Sequence, residues 1–148
     1  MKLSDILSNT RIAVGTTVTS KKRALEELSK LLALGAPSVT APEIVASLTA
    51  REKLGSTGLG HGVAIPHGRM AGVAGTVGAF VKLRHPVEYE AHDGKPVDLV
   101  FGLIVPQQAT GEHLKHLAAI AEKFSDDDFC DALRAAKDGS AALALLSN

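Results

Sequence analysis

The stretch PVDLVFGLIVP, Pro96–Pro106, decides the fold of this chain. Between its two prolines nearly every residue is apolar, without the alternation of polar and apolar residues that one solvated face would leave. A strand with this pattern is covered by other elements on both faces. The sequence therefore predicts a central sheet enclosed between two layers, and the rest of the chain has to supply them.

Two amphipathic helices are predicted on the amino-terminal side of this strand. SKKRALEELSKLLALG (Ser20–Gly35) places its leucines on one stripe, with a cap-type serine before them and a glycine after them. TAPEIVASLTAREKLG (Thr40–Gly55) opens with Thr40 and Glu43 in the spacing of a capping box. Both segments are suited to cover one face of the sheet.

Further helices are predicted after the strand. TGEHLKHLAAIAEKF (Thr110–Phe124) has helical periodicity with Thr110 as its N-cap, and two shorter helices are expected near Asp127–Lys137 and Ser140–Leu146. A second strand is predicted over Val73–Leu83, and the segment 90–96 carries an Asp-Gly turn signal. The pattern predicts an α/β fold, a single-domain sandwich over residues 1–148 with a mixed central β-sheet flanked by helices.

The composition excludes several classes of protein. Sixteen basic and sixteen acidic residues cancel, so we expect no nucleic-acid partner and no polybasic contact with a membrane. No apolar run has the length of a signal peptide or a membrane span, so no membrane insertion is expected. The single cysteine, Cys130, excludes an internal disulfide. These features predict a cytoplasmic protein.

A second stretch, GSTGLGHGVAIPHGR (Gly55–Arg69), is the candidate functional segment. Val63–Ile65 is predicted as a short strand that Pro66 ends, so that His67 stands at a strand end, and Gly68 is expected to leave its ring unscreened. The glycines before it permit close approach of backbone N–H groups to an anion, and the candidates are Ser56, Thr57, Gly58, Gly60 and Gly62. The alternative is that these glycines only make turns.

An accessible histidine beside anion-binding groups is suited to nucleophilic attack on phosphorus. Phosphoryl transfer requires positioning and cationic or N–H donors more than covalent assistance. Arg51 before the segment and Arg69 after it are candidate donors, because a guanidinium binds phosphate oxygens through a bidentate fork. The alternative for each arginine is a solvated surface charge.

His113 is the second candidate histidine. With Thr110 as N-cap it occupies the first turn of its helix, where the dipole and free N–H groups favour an incoming anion. There a neutral His113 is able to hydrogen-bond to a phosphoryl group on His67; the alternative is that it only begins an amphipathic helix. A metal site built from His61, His67, His113 and His116 is a remoter alternative, because no metalloprotease motif or cysteine pair accompanies them.

Three segments together resemble the IIA component of the bacterial phosphoenolpyruvate-dependent phosphotransferase system. They are LTAREKLGSTGLGHGVAIPHGR (Leu48–Arg69), PVDLVFGLIVP and TGEHLKHL. The likeness covers nearly the whole chain and is greatest to the nitrogen-regulatory branch, which is related to the fructose and mannitol IIA domains. The resemblance implies a sandwich of helices around a mixed sheet, and a histidine that accepts a phosphoryl group from an HPr-like histidine phosphocarrier protein.

The resemblance also implies roles for particular residues. By their positions in the motifs, His67 is the phosphorylated residue, His113 the second active-site histidine and Arg51 the arginine that faces the phosphate. It implies no cofactor and no metal, and it leaves the downstream regulatory or transport partner unknown. Two other functions stay open, namely a sugar-specific IIA component that feeds a IIB domain and a binding module without chemistry.

Overall fold

A mixed sheet separates two layers of helices in the computed structural model, which describes residues 3–109 and 111–147 apart from the side chains of residues 112–114. Two short 3-10 helices, Leu3–Asp5 and Asn9–Arg11, come first. The remaining elements are β1 (Ile12–Thr16), α1 (Lys21–Leu34), α2 (Ala41–Lys53), β2 (Gly58–Gly60), β3 (Val63–Ala64), β4 (His67–Met70), β5 (Val77–Val87), β6 (Val97–Pro106), α3 (Gly111–Phe124), α4 (Asp127–Ala135) and α5 (Gly139–Leu146).

Strand β6 is the centre of the sheet. Along one edge it pairs antiparallel with β5, and β5 in turn pairs parallel with β1. Along the other edge it pairs parallel with both β3 and β4, and β2 lies outside β3. The mixed α/β sandwich predicted from the sequence is therefore confirmed.

Strands β3 and β4 follow β6 in one register on both sides of Pro66. Val63 pairs with Leu99 and His67 pairs with Leu103, so the two strands advance in step. Pro66 has no N–H to donate, but its carbonyl accepts a hydrogen bond of 3.0 Å from the Leu103 N–H. The sequence prediction therefore needs a correction: Pro66 interrupts the strand, which resumes with His67 as the first residue of β4.

The side chains of β6 divide between two cores. One core, which includes Val97, Val100 and Ile104, packs against α1 and α2. The other includes Leu99, Phe101 and Leu103 and packs against α3, α4 and α5. All six side chains are buried. This confirms the expectation that the apolar run of Pro96–Pro106 forms a strand covered on both faces.

The predicted helix boundaries agree with the structure where their caps are described. The Ser20 side chain accepts from the Arg23 N–H at the start of α1. Thr40 and Glu43 form the reciprocal capping box at the start of α2. Arg51 lies in the last turn at the other end of this helix. The predicted N-cap of α3, Thr110, lies outside the described residues.

The sequence prediction differs from the structure in the edge strands. Strand β5 begins four residues later than predicted and extends to Val87. β1 and β2 were not predicted at all. β1 contains a glycine and is largely half-buried, and β2 reads Gly-Leu-Gly, so neither carries a hydrophobic period of its own. Both exist because a neighbouring strand supplies their hydrogen bonds.

Within residues 3–109 and 111–147, no helix is long and apolar enough to cross a membrane.

The close contact between α1 and β6 gives a stability test at Gly102. A methyl group at Gly102 would lie 2.8 Å from Cγ of the fully buried Leu28. We expect Gly102→Ala to lower the free energy of unfolding by about 1–3 kcal/mol, because the helix has to move away from the sheet. Urea unfolding followed by circular dichroism measures this change.

Gly75→Ala is the matched control. Apart from its two chain neighbours, no atom of the described residues lies within 4 Å of a methyl group at Gly75, and its φ is not in the left-handed region. Its free energy of unfolding is expected to stay within about 0.5 kcal/mol of wild type. Equal stability of the two variants would contradict the close packing of α1 on β6.

Candidate functional site

His67 lies at the point where the interrupted strand resumes. Its ring is half-buried, and its Nδ1 lies 2.9 Å from the carbonyl oxygen of Ile65. A carbonyl only accepts, so Nδ1 carries the proton and the lone pair of the neutral ring is on Nε2. The backbone two residues before His67 thus selects which nitrogen is available to a reaction partner.

The sequence predicted that Gly68 leaves the ring of His67 unscreened, whereas in the structure Gly68 makes room for helix α2. It is buried, and a methyl group in its place would collide with the Ser47 side chain of α2. The absence of a side chain at Gly68 lets α2 pack directly on β4. This contact brings the carboxyl end of α2, with Arg51, towards the histidine.

Arg51 lies in the last turn of α2 and is half-buried. Its Nη1 donates a hydrogen bond of 2.8 Å to the carbonyl oxygen of Gly55. A guanidinium has five N–H groups, so this contact orients the side chain while other donors remain for a ligand. Arg69, by contrast, is exposed on β4 and does not line the cavity that contains His67.

His67 and Arg51 line one open cavity of about 300 Å³. This volume is at the lower end of the range of about 300–1,000 Å³ that is usual for small-ligand sites. None of the described residues that line it is acidic. They are Arg51, Ser56, Thr57, Gly58, Leu59, Ile65, His67, His92, Leu117 and Ala121.

The glycine segment, residues 55–62, contributes one wall of the cavity (the glycine wall), but two of its amides, at Thr57 and Gly58, are already engaged. The Thr57 N–H donates to Glu52 Oε1 at 3.0 Å, and the Gly58 N–H donates to the Ser56 hydroxyl at 3.1 Å. The Ser56 hydroxyl donates in turn to the carbonyl of Tyr89 at 3.0 Å. Thr57 and Gly58 therefore form the wall of the cavity without directing their N–H groups into it.

Gly60 and Gly62 lie outside the cavity lining, and they have a structural use instead. Both adopt a positive φ. A methyl group on Gly60 would lie 3.2 Å from Asp93 Oδ2, and one on Gly62 would lie 2.6 Å from Nη2 of Arg134. Of the five predicted phosphate-loop residues, the structure brings only Ser56, Thr57 and Gly58 to the cavity.

A buried polar network behind the cavity holds this wall in place. Glu52 accepts from the N–H of Thr57 and also from its hydroxyl. Lys21 Nζ lies 3.0 Å from Glu52 Oε1 and 4.4 Å from the centre of the Tyr89 ring. The buried carboxylate is thus both paired and hydrogen-bonded, as a charge in the interior has to be.

Tyr89 completes the network. Its ring is fully buried, and its hydroxyl lies 3.3 Å from Thr57 Oγ1. Because Thr57 gives its hydroxyl proton to Glu52, its oxygen accepts from Tyr89. Burial raises the pKa of Tyr89 far above its ordinary value, and the nearby Glu52 carboxylate raises it further. Burial therefore favours the neutral form of Tyr89 in the folded protein.

The far end of the glycine segment is held by a second set of contacts. His61, in the left-handed region at φ 56°, donates its N–H to Asp93 Oδ2 at 2.9 Å and accepts at its carbonyl from Arg134 at 2.7 Å. Arg134 is held in turn by both carboxylate oxygens of Asp98. Backbone N–H groups of His61 and Lys95 lower the pKa of the Asp93 carboxyl.

Helix α3 closes the cavity on the remaining side with Leu117 and Ala121. The predicted second histidine, His113, belongs to the first turn of this helix, four residues before Leu117. Its side chain lies outside the described residues, so its role stays a prediction. The metal alternative rests partly on it; the side chains that are described include no group of three or more His, Cys, Asp or Glu residues arranged to hold a metal ion.

Sequence reasoning missed two residues of this site. His92 lines the cavity from the connection between β5 and β6, and Glu52 supports the glycine wall from α2. Glu52 follows Arg51 directly in the sequence, but no sequence pattern indicated that it is buried, because its burial depends on the fold. The turn signal at Asp93 and Gly94 located the connection, but it did not show which side chain the turn presents.

Comparison with known proteins identifies relatives of this chain. The family model described as "Phosphoenolpyruvate-dependent sugar phosphotransferase system, EIIA 2" matches residues 5–148. The chain is similar to a relative from Pseudomonas aeruginosa named "Nitrogen regulatory protein", with 45% identity over 141 residues, which cover 95% of this chain and 92% of the relative.

Two solved structures have the same fold. Nitrogen Regulatory Protein IIA-Ntr from Neisseria meningitidis is 46% identical with a TM-score of 0.92, over 97% of this chain and 98% of that one. IIA mannitol from Escherichia coli is 25% identical with a TM-score of 0.79, over 95% of this chain and 98% of that one.

The sole tyrosine of the chain permits a direct test of the buried network. Tyr89 is the only tyrosine and there is no tryptophan, so absorbance at 295 nm reports its ionisation alone. With its pKa raised in the folded state, Tyr89 contributes stability in full below about pH 10 and loses it as the pH rises further. We expect phenolate absorbance to appear only together with unfolding.

Tyr89→Phe is the control for this titration. The variant lacks the hydroxyl that ionises when the wild type unfolds. Above about pH 10 this ionisation lowers the unfolding free energy of the wild type but not that of the variant, so the difference between the two should narrow. A phenolate signal that appears near pH 10 in protein with native circular dichroism would contradict the buried position of Tyr89.

Proposed function

Because this chain belongs to the EIIA 2 family of the phosphoenolpyruvate-dependent sugar phosphotransferase system, we propose that it is a phosphocarrier that accepts a phosphoryl group on His67. The observation that carries this proposal is the shared cavity, in which an arginine meets a histidine whose Nδ1 is held by a backbone carbonyl, and none of the described lining residues is acidic. The proposed setting is the cytoplasm, with an HPr-like phosphocarrier protein as the donor.

The proposed nucleophile is Nε2 of His67. Its lone pair attacks the phosphorus of a phosphohistidine on the donor protein, a new N–P bond forms, and the electron pair of the old N–P bond returns to the donor's ring nitrogen. The His67 ring keeps its Nδ1 proton and becomes cationic. The Ile65 carbonyl, 2.9 Å from Nδ1, stabilises that charge as it develops.

The surrounding residues supply what a loose, charge-rich transition state requires. Arg51 offers a planar fork for the phosphoryl oxygens, and its contact with Gly55 positions that fork before the donor arrives. Leu59 and Ile65 form an apolar part of the lining, which limits the access of water to the phosphohistidine. His113 is proposed as a further stabilising group, from its position in the resemblance.

A docking partner requires a surface that does not obstruct the histidine. Leu54 and Leu59 are exposed, at 85% and 47% of their possible exposure, and Leu59 lines the cavity. We propose that they contact the donor protein. Met70, on β4, is buried and does not contribute to this surface.

We favour a regulatory role over sugar transport. The relatives from Pseudomonas aeruginosa and Neisseria meningitidis, at 45% and 46% identity, are named as nitrogen regulatory proteins, whereas the mannitol IIA structure is 25% identical. In the proposed role the phosphorylation state of His67 controls which downstream protein the chain contacts. A sugar-specific IIA component that passes phosphate to a IIB domain is the alternative.

The proposal is tested by labelling. Incubation with enzyme I, phosphoenolpyruvate and a histidine phosphocarrier protein is expected to place an acid-labile phosphate on the wild type and none on His67→Ala. His85→Ala is the matched control, because His85 is exposed on β5 and is not one of the residues that line the cavity. Labelled phosphate on a folded His67→Ala protein would refute the assignment.

Arg51→Lys tests the phosphate fork. The ammonium keeps the charge but loses the bidentate geometry, so single-turnover transfer from the phosphorylated carrier is expected to slow by roughly tenfold. Arg69→Lys is the matched control and should transfer at the wild-type rate, because Arg69 lies outside the cavity. An unchanged rate for Arg51→Lys would remove Arg51 from the site.

A further inference from the structure

We propose that His92 is an additional phosphate-binding residue, whose ring N–H donates a hydrogen bond to the phosphoryl group on His67. The inference rests on the proposed function of His67 and extends it to a residue in the connection between β5 and β6. His92 lines the same cavity of about 300 Å³ as His67 and Arg51.

The connection that carries His92 is fastened to the glycine segment along its length. The Tyr89 carbonyl accepts from the Ser56 hydroxyl at 3.0 Å. Ala91 packs so closely on Gly58 that a methyl group there would lie 2.7 Å from the Ala91 Cβ. Asp93 accepts from the backbone beyond, at His61. The residues on both sides of His92 are therefore fixed against the wall of the cavity.

The turn itself is closed by hydrogen bonds of its own. The Gly94 N–H donates to the Ala91 carbonyl at 2.9 Å, and the Lys95 N–H donates to Asp93 Oδ1 at 3.1 Å. His92 thus occupies the second position of a tight turn and projects from a fixed backbone. A donor on such a backbone loses little conformational entropy when it binds a ligand.

Several hydrogen-bond donors of the cavity wall are already engaged. A phosphoryl group on His67 brings three oxygens and close to two negative charges. The Thr57 N–H donates to Glu52 and the Gly58 N–H donates to Ser56, while the Ser56 hydroxyl donates to the Tyr89 carbonyl. These three donors are therefore not free for a ligand.

Among the described lining side chains, Arg51 and His92 are the ones able to donate to the oxygens of a phosphorylated His67 without giving up one of these bonds. An imidazole keeps at least one N–H in either protonation state, so His92 is able to donate whether it is charged or neutral.

The effect of His92 is expected on the equilibrium between the carrier and this chain. A hydrogen bond made only in the phosphorylated state favours that state, and the exposure of His92 limits its strength because water competes. We expect His92→Ala to lower the equilibrium constant for phosphate transfer onto His67 by about three- to tenfold. His92→Gln keeps an N–H donor, so it should lower this equilibrium constant less than His92→Ala does.

The experiment mixes purified phosphorylated carrier with the full chain in the absence of enzyme I and measures the fraction of each protein phosphorylated at equilibrium. An equilibrium constant is independent of how well the two proteins dock, so it separates phosphate binding from partner contact. His85→Ala is the matched control, expected to equal wild type. The ring nitrogens of His92, observed by two-dimensional nitrogen NMR, should shift on phosphorylation while those of His85 do not.

The outcomes separate the two proposals. No label on wild-type His67 would overturn the proposed function and this inference with it. Normal labelling of the wild type, together with an unchanged equilibrium constant for His92→Ala or unshifted His92 ring nitrogens, would overturn this inference alone. A reduced constant for His92→Ala, with partial recovery in His92→Gln and a His92 shift, supports it.

Discussion

The double burial of strand β6 is the constraint on which the rest of the structure depends. β6 is hydrogen-bonded along both edges and packed on both faces, so every other layer is placed by reference to it. It also fixes the register in which the chain passes Pro66 and resumes at His67. A one-residue slip in that pairing would turn His67 to the opposite face of the sheet, away from Arg51. The position of the His67 ring is therefore a consequence of sheet register.

A buried carboxylate connects this scaffold to the cavity. Glu52 joins α2 to the glycine wall through Thr57, and Lys21 compensates its charge from the start of α1. Three separate parts of the chain meet at this one group. The Thr57 N–H and hydroxyl that it occupies are not available to a ligand. The contacts that hold the wall in place thus also limit which of its groups can bind one.

The sequence alone determined a large part of this protein. The apolar run of β6 required two covering layers, and the capping residues at Ser20 and Thr40 defined the first two helices. The Pro66-His67-Gly68 segment selected His67 as the candidate histidine, and the family resemblance, which the comparisons bear out, named its relatives. These features are local or periodic, so each is readable from neighbouring residues. Arg51 was selected by the longer segment Leu48–Arg69, and the structure places it in the lining of the cavity that contains His67.

The tertiary structure decided what depends on contacts between distant residues. The edge strands β1 and β2 carry no period of their own and form because β5 and β3 supply their hydrogen bonds. Gly60 and Gly62 resemble phosphate-loop glycines in sequence, yet their close neighbours are Asp93 and Arg134. His92 appears in sequence as part of a turn, and the fastening of that turn to the glycine wall is what brings it to the cavity. Such contacts are settled only when the chain folds, because burial and the competition for hydrogen bonds are properties of the whole molecule.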